Sequence, residues 1–224
     1  MTWINTAALP FTMTGALYFS PVISVGGEPV VYIIDRGTNF YKYNLATKIF
    51  TQLTSPSNSN AGFRSLAINL AGTELACPTN NQTKVGIYNI ASNAWVLSST
   101  IPTIVSQPGW AYCLVWEDDD LIWIWARDSA NVRGKCIKWV PSTNTWTVFA
   151  NQTGTQSLWQ PSAAAFKADA VYGGTIGAAN GGADFPRAKY IPSTDTYSTV
   201  MKQNKQHASA YDRDKLWYVD LGAG

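Results

Sequence analysis

Charge is scarce in this chain. Of its 224 residues only 13% are Asp, Glu, Lys or Arg, and they leave a net charge of +2; about a quarter is usual in a globular domain. No Lys/Arg cluster forms a stripe able to track phosphates, so a nucleic-acid partner is not expected. There is one histidine, His207, which excludes multi-histidine metal centres and leaves any catalytic triad dependent on that residue. Three cysteines, Cys77, Cys113 and Cys136, cannot all pair with one another. Each sits in an apolar, strand-like run, so free buried thiols are expected, made in a reducing compartment. No stretch approaches the roughly 18 apolar residues of a membrane helix, and no membrane insertion is expected. The opening residues MTWINTAALPFTMTG lack a basic n-region and an unbroken apolar core, so no signal peptide is evident.

Long Ala/Glu/Lys/Leu-rich runs are missing too, while ten Trp and eleven Tyr are present. Strands favour aromatic and β-branched residues, so the balance predicts an all-β protein. A repeat then organises the chain. Four segments, YNLATKIF (43–50), YNIASNAW (88–95), WVPSTNTW (139–146) and YIPSTDTY (190–197), each place two aromatics seven positions apart around a polar turn. Asn, Asp, Ser, Pro and Thr in the middle are turn formers, so each reads as a hairpin. The first aromatics lie 45, 51 and 51 residues apart. A period of that size carrying several strands is the sequence sign of a β-propeller.

The same register places the other strands. VVYIID (30–35), ELACPT (74–79), LIWIWA (121–126) and AVYGGTI (170–176) precede the hairpins, and ALYFSP (16–21), SLAINL (65–70), AYCLVW (111–116) and SAAAFK (162–167) precede those. Each blade thus has four antiparallel strands, a to d from the axis outward. HASAYD (207–212) and KLWYVDL (215–221) begin a fifth unit, and MTWIN (1–5) matches the d-strand frame of NTWTV (144–148). The expectation is one five-bladed domain, with blades near 15–53, 64–98, 110–149, 161–200 and 207–221. Residues 1–5 would close the last blade, which removes sheet edges; no residues remain for its strand c, so a three-stranded blade, a strand from a partner and a longer chain are the alternatives.

AVYGG…KYIPSTDTY, with Gly173-Gly174 ending a hydrophobic strand before a Thr-containing aromatic hairpin, resembles a kelch-type repeat. The diglycine stands only in the fourth blade; Cys77-Pro78 and Trp125-Ala126 occupy the corresponding places in the second and third. The resemblance implies a divergent, kelch-like propeller with fewer blades than that family usually has.

Candidate chemistry falls in the connections. The d-to-a segments 54–63, 98–109, 150–160 and 201–206 are rich in Ser, Thr, Asn, Gln and Gly, and 175–187 is a long glycine-rich b-to-c connection. Gln107, Gln160 and Gln206 recur at the start of strand a. With Trp110, Trp159, His207 and Tyr211 they would form a neutral polar-aromatic site at the channel mouth, suited to a glycan; the competing reading of Gln-Pro is loop-ending chemistry. Glu117-Asp118-Asp119-Asp120 invites a calcium site, but falls where every blade needs a polar a–b turn, so a solvated hairpin is favoured and no metal or cofactor is expected. Asp35, Asp128 and Asp184 sit near b-strand ends, the region where a glycosidase needs carboxylates; Asp35-Arg36 and Arg127-Asp128 read as charges on solvated turns. No catalytic residue is assigned. Asn81-Gln82-Thr83 and Asn151-Gln152-Thr153 read as ordinary polar loop sequence. The favoured function is a non-catalytic module binding protein or glycan in a larger assembly, extracellular or on a virion surface. A lectin with one site per blade and a glycoside hydrolase are the alternatives.

Overall fold

The computed structural model describes residues 8–12, 17–35, 39–56, 66–79, 84–102, 113–127, 134–151, 157–158, 165–166, 168–177, 187–201, 208–212 and 215–219. Five antiparallel sheets follow one another along the chain. The first contains β1 (Leu17–Phe19), β2 (Ile23–Val25), β3 (Glu28–Asp35), β4 (Phe40–Asn44) and β5 (Phe50–Gln52). The second is β6 (Ala67–Ile68), β7 (Glu74–Thr79), β8 (Lys84–Asn89) and β9 (Ala94–Leu97). The third is β10 (Cys113–Asp118), β11 (Leu121–Arg127), β12 (Gly134–Val140) and β13 (Thr145–Asn151). The fourth holds β14 (Ser157–Leu158), β15 (Ala165–Phe166), β16 (Val171–Gly177), β17 (Arg187–Ile191) and β18 (Thr196–Met201), and the fifth β19 (Ala208–Asp212) and β20 (Lys215–Val219). The sheets are the blades of a β-propeller. The N-terminal closing segment 1–5 lies outside the described residues.

Two innermost strands depart from the expected boundaries. In blade 1, β1 and β2 both pair with β3, so strand a runs on past Pro21 to Val25 rather than stopping there. Ser20 Oγ accepts the Tyr32 N–H across the break at 2.9 Å. The turn at Gly26-Gly27 has φ of 61° and 84°; two consecutive positive φ values are what a two-residue primed hairpin requires, and glycine adopts them without steric cost. In blade 4, Ser157 and Leu158 pair with Gly177 and Ile176. They belong to the sheet, not to the connection in which the sequence reading put them. Gly173-Gly174 falls where the β16–β17 register shifts between Tyr172 and Thr175, a bulge that suits residues without side chains.

Three buried clusters hold successive blades together. Val30, Tyr32, Ile34 and Phe40 of blade 1 meet Leu66, Ile68, Leu75, Cys77 and Tyr88 of blade 2. Val85, Ile87 and Ile101 of blade 2 meet Leu114, Trp116, Ile122, Ile124, Ile137 and Trp139 of blade 3. Val115, Trp123 and Cys136 on the other face of blade 3 meet Val171 and Tyr190 of blade 4. Strand side chains alternate between faces, and a middle blade buries both, which explains unbroken apolar runs such as LIWIWA. Pro78 is tolerated inside β7 because of its register. Val85, opposite it, gives its C=O to Ser98 N–H and its own N–H to Ser98 Oγ. The missing proline donor therefore faces away from β8.

Cys77 is a free thiol and fully buried, as expected, and Cys136 is fully buried too; the Cys113 side chain lies outside the described residues. Burial pushes the Cys77 thiol far above the ordinary cysteine range. Native protein at pH 8 is expected to leave Cys77 and Cys136 unmodified by iodoacetamide, with both labelling fully in denaturant. Rapid native labelling at either site, read by peptide mass spectrometry, would contradict the packing.

Candidate functional site

Each blade is an antiparallel meander, so a–b and c–d turns lie at one end, and b–c and blade-to-blade connections at the other. The first end carries the repeated chemistry. In every complete blade the two aromatics are directly opposed: Tyr43 with Phe50, Tyr88 with Trp95, Trp139 with Trp146 and Tyr190 with Tyr197. Their ring centroids are 4.4, 5.2, 5.2 and 4.6 Å apart, within the range of favourable aromatic pairs. The residue two before the second aromatic is left-handed each time: Lys48, Asn93, Asn144 and Asp195, with φ of 63°, 52°, 50° and 50°. Asn and Asp bear this conformation better than other side chains.

That residue has a second task. Tyr88 Oη donates to Asn93 Oδ1 at 2.8 Å, Trp139 Nε1 to Asn144 Oδ1 at 3.1 Å, and Tyr190 Oη to Asp195 Oδ1 at 2.9 Å. Lys48 has no acceptor to offer, and the buried Tyr43 hydroxyl finds no hydrogen-bond partner among the described residues. Lys48→Asn is therefore expected to stabilise the protein by about 1 kcal/mol, by easing the left-handed backbone and supplying an acceptor. A fall in the urea midpoint would show that the turn is not equivalent to its three counterparts.

The buried phenols resist ionisation. Burial pushes the Tyr32 hydroxyl up to about 12, and the Tyr88 hydroxyl likewise up to about 12, with the neighbouring Tyr32 adding to the effect. Tyr190 is raised further by burial and by its Asp195 contact. An unfolded chain ionises its tyrosines near pH 10, so it holds fewer protons than the folded chain above that pH. The contribution is complete below about pH 10 and is lost as pH rises through 12. Alkaline unfolding is expected to coincide with phenolate absorbance at 295 nm. Ordinary titration of Tyr32 and Tyr88 in a chain that stays folded would refute it.

The acidic run is occupied by the protein itself. Asp119 Oδ1 accepts the Ala71 N–H of blade 2 at 2.7 Å, Asp118 Oδ1 accepts Asp120 N–H at 2.8 Å, and Asp120 accepts both the Ser142 N–H and its hydroxyl. Glu117 Oε2 accepts Trp123 Nε1–H at 2.5 Å. The position on the a–b turn is as expected, and Asp118 and Asp119 are exposed as in a solvated hairpin, while their oxygens also accept bonds from the turn and from blade 2. No group of three or more His, Cys, Asp or Glu able to hold a metal occurs among the described residues.

The strand ends at the opposite end lead into connections whose sequences do not repeat: 36–39, 53–66, 80–83, 98–112, 128–133, 152–156, 178–186 and 202–207. Asp35 is here, and it corrects the sequence reading. It is fully buried, and its oxygens accept Asn39 N–H at 3.0 Å and Asn39 Nδ2–H at 2.7 Å. It shapes the b–c turn and is not a solvated charge. Part of 98–109 is also scaffold, since Ile101 is buried against blade 3. Gln107, Trp110, Trp159, Gln160, Gln206 and His207 lie outside the described residues, as do Asp128, Asp184 and the first sequon. Tyr211 lies on β19 opposite Leu216, and Asn151 ends β13 opposite Lys135. Sequence reasoning missed the left-handed Asn/Asp positions as a joint-forming set, although their constant place five residues after the first aromatic was a readable signal.

These sheets and joints define a β-propeller, and comparison with solved structures agrees. The chain is similar to a chain in the crystal structure of a nidogen/laminin complex, with a TM-score of 0.63 and 12% identity over 91% of this chain and 71% of that one. No protein-family model and no curated protein sequence matches it.

Proposed function

We propose that this protein is a non-catalytic recognition module that binds a protein partner through its non-repeating connections. The supporting observation is the division of labour between the two ends of the blades. Repeated residues are consumed by turns and blade joints, whereas segments such as 128–133 and 178–186 follow no repeat and are free to differ. Similarity to a propeller-type fold solved in a nidogen/laminin complex supports a protein partner over a small molecule. Low charge and neutral polar connections favour an extracellular or virion-surface setting within a larger assembly. The kelch-like kinship belongs to this proposal, as does the grouping of Gln107, Trp110, Trp159, Gln160, Gln206, His207 and Tyr211 at the channel mouth as its contact set.

The test uses the full chain and a variant in which 128–133 and 178–186 are replaced by Gly-Ser links. The intact chain should bind a protein partner in a proteome-display screen, and the variant should lose that partner at an unchanged melting temperature. Retained binding by the variant would overturn the assignment to these connections. Binding of one defined sugar on a glycan array without any protein partner would establish the lectin reading instead.

A further inference from the structure

Successive blades are tied by the second aromatic of the c–d hairpin, joined at the first two joints by the left-handed residue. At the joint of blades 1 and 2, Asn93 Oδ1 accepts Thr54 N–H at 3.0 Å and Trp95 Nε1–H donates to Thr54 O at 2.7 Å. At the joint of blades 2 and 3, Asn144 Oδ1 accepts the Ser99 hydroxyl at 3.1 Å and Trp146 Nε1–H donates to Ser99 Oγ at 2.8 Å. Blades 3 and 4 are tied by Tyr197 Oη, which accepts Cys136 N–H at 3.0 Å. Blade 1 carries Lys48 and Phe50 at these positions. Lysine has no acceptor and phenylalanine has neither donor nor acceptor, so the face of blade 1 turned away from blade 2 has no such tie to offer.

A second observation falls on the same face. Tyr43, opposed to Phe50, is buried with its hydroxyl unpartnered among the described residues, while Tyr88, Trp139 and Tyr190 are all satisfied. Closing this face keeps the Tyr43 hydroxyl dry, and opening it returns the hydroxyl to water. Ile33, Tyr41 and Tyr43 are buried here, and Phe11 stacks on Tyr41 at 4.7 Å, so the face is covered in this structure.

We propose that this face of blade 1 is the seam of the propeller, a built-in weak joint that opens reversibly while the other joints stay shut. Opening exposes Tyr41, Tyr43 and Phe50 without unfolding the blades. The seam is independent of which ligand the connections take.

Native hydrogen exchange read by mass spectrometry tests it. Amides of β4 and β5 should exchange about tenfold or more faster than those of β8 and β9 or of β12 and β13. K48N/F50W, which installs the missing tie, should slow β4 and β5 by about tenfold; K48N alone gives a milder form should the tryptophan not fit. The reciprocal variant N93K/W95F should create a second fast joint between blades 1 and 2. Equal protection of blade 1 in the wild type would overturn the proposal, as would fast exchange undiminished by K48N and K48N/F50W, or an N93K/W95F variant whose joint stays closed.

Discussion

Tyr190→Ala is expected to lower the stability of the protein by about 3–5 kcal/mol. Tyr190 is fully buried, and its ring lies 4.6 Å from Tyr197, 5.3 Å from Phe149 and 6.0 Å from Trp123. Two of those partners belong to blade 3, so truncation opens a cavity in the joint between blades. The hydroxyl bond to Asp195 is a smaller share, and Tyr190→Phe should cost only about 1 kcal/mol. Trp146, half-buried and stacked on Trp139, should cost about 2 kcal/mol on truncation, because less of it leaves water. Urea unfolding of the three variants measures the series. Wild-type stability for Tyr190→Ala would mean that the hairpin aromatics are exposed contacts rather than scaffold.

Asn144→Ala should destabilise by about 2–3 kcal/mol although the residue is itself exposed. Its oxygen accepts from Trp139 Nε1, from Ser99 N at 3.3 Å and from the Ser99 hydroxyl, and its backbone is left-handed at φ 50°. Alanine loses the acceptor, leaves the buried Trp139 donor unpaired and strains the turn. Asn144→Gly removes only the acceptor, and should recover about 1 kcal/mol of the loss because glycine accepts positive φ. Equal losses for alanine and glycine would mean the turn conformation contributes nothing. No loss for glycine would mean the blade-joining bonds contribute nothing.

Much of the fold was legible because its signal is local. Two aromatics seven positions apart must oppose each other across a hairpin with a left-handed residue near its end, and all four segments do so. Strand b of each blade was readable because both of its faces are buried, which leaves apolar runs such as ELACPT. Strand a was harder. In blade 1 it is interrupted at Ser20–Val22, and in blade 4 its first piece, Ser157-Leu158, lies in polar sequence; in both cases pairing to the neighbouring strand, not local pattern, makes the strand. Ile101 and Asp35 were misplaced for a related reason. Their burial comes from what surrounds them, the next blade for Ile101 and the Asn39 turn for Asp35, and a short polar or proline-containing stretch carries no mark of it. Among the candidate contact residues only Gln107, Gln160 and Gln206 recur from blade to blade; Trp110, Trp159, His207 and Tyr211 have no counterpart in every blade, so internal comparison gives them little support.

The central claim is that the repeated aromatics form the joints between blades. A double-mutant cycle on Phe40 and Tyr88 tests it most directly, since these residues belong to blades 1 and 2 and meet edge to face at 4.8 Å. With Phe40→Leu and Tyr88→Leu as the single changes, a coupling energy of about 0.5–1.5 kcal/mol is predicted. A coupling indistinguishable from zero, with each single variant folded, would contradict the account.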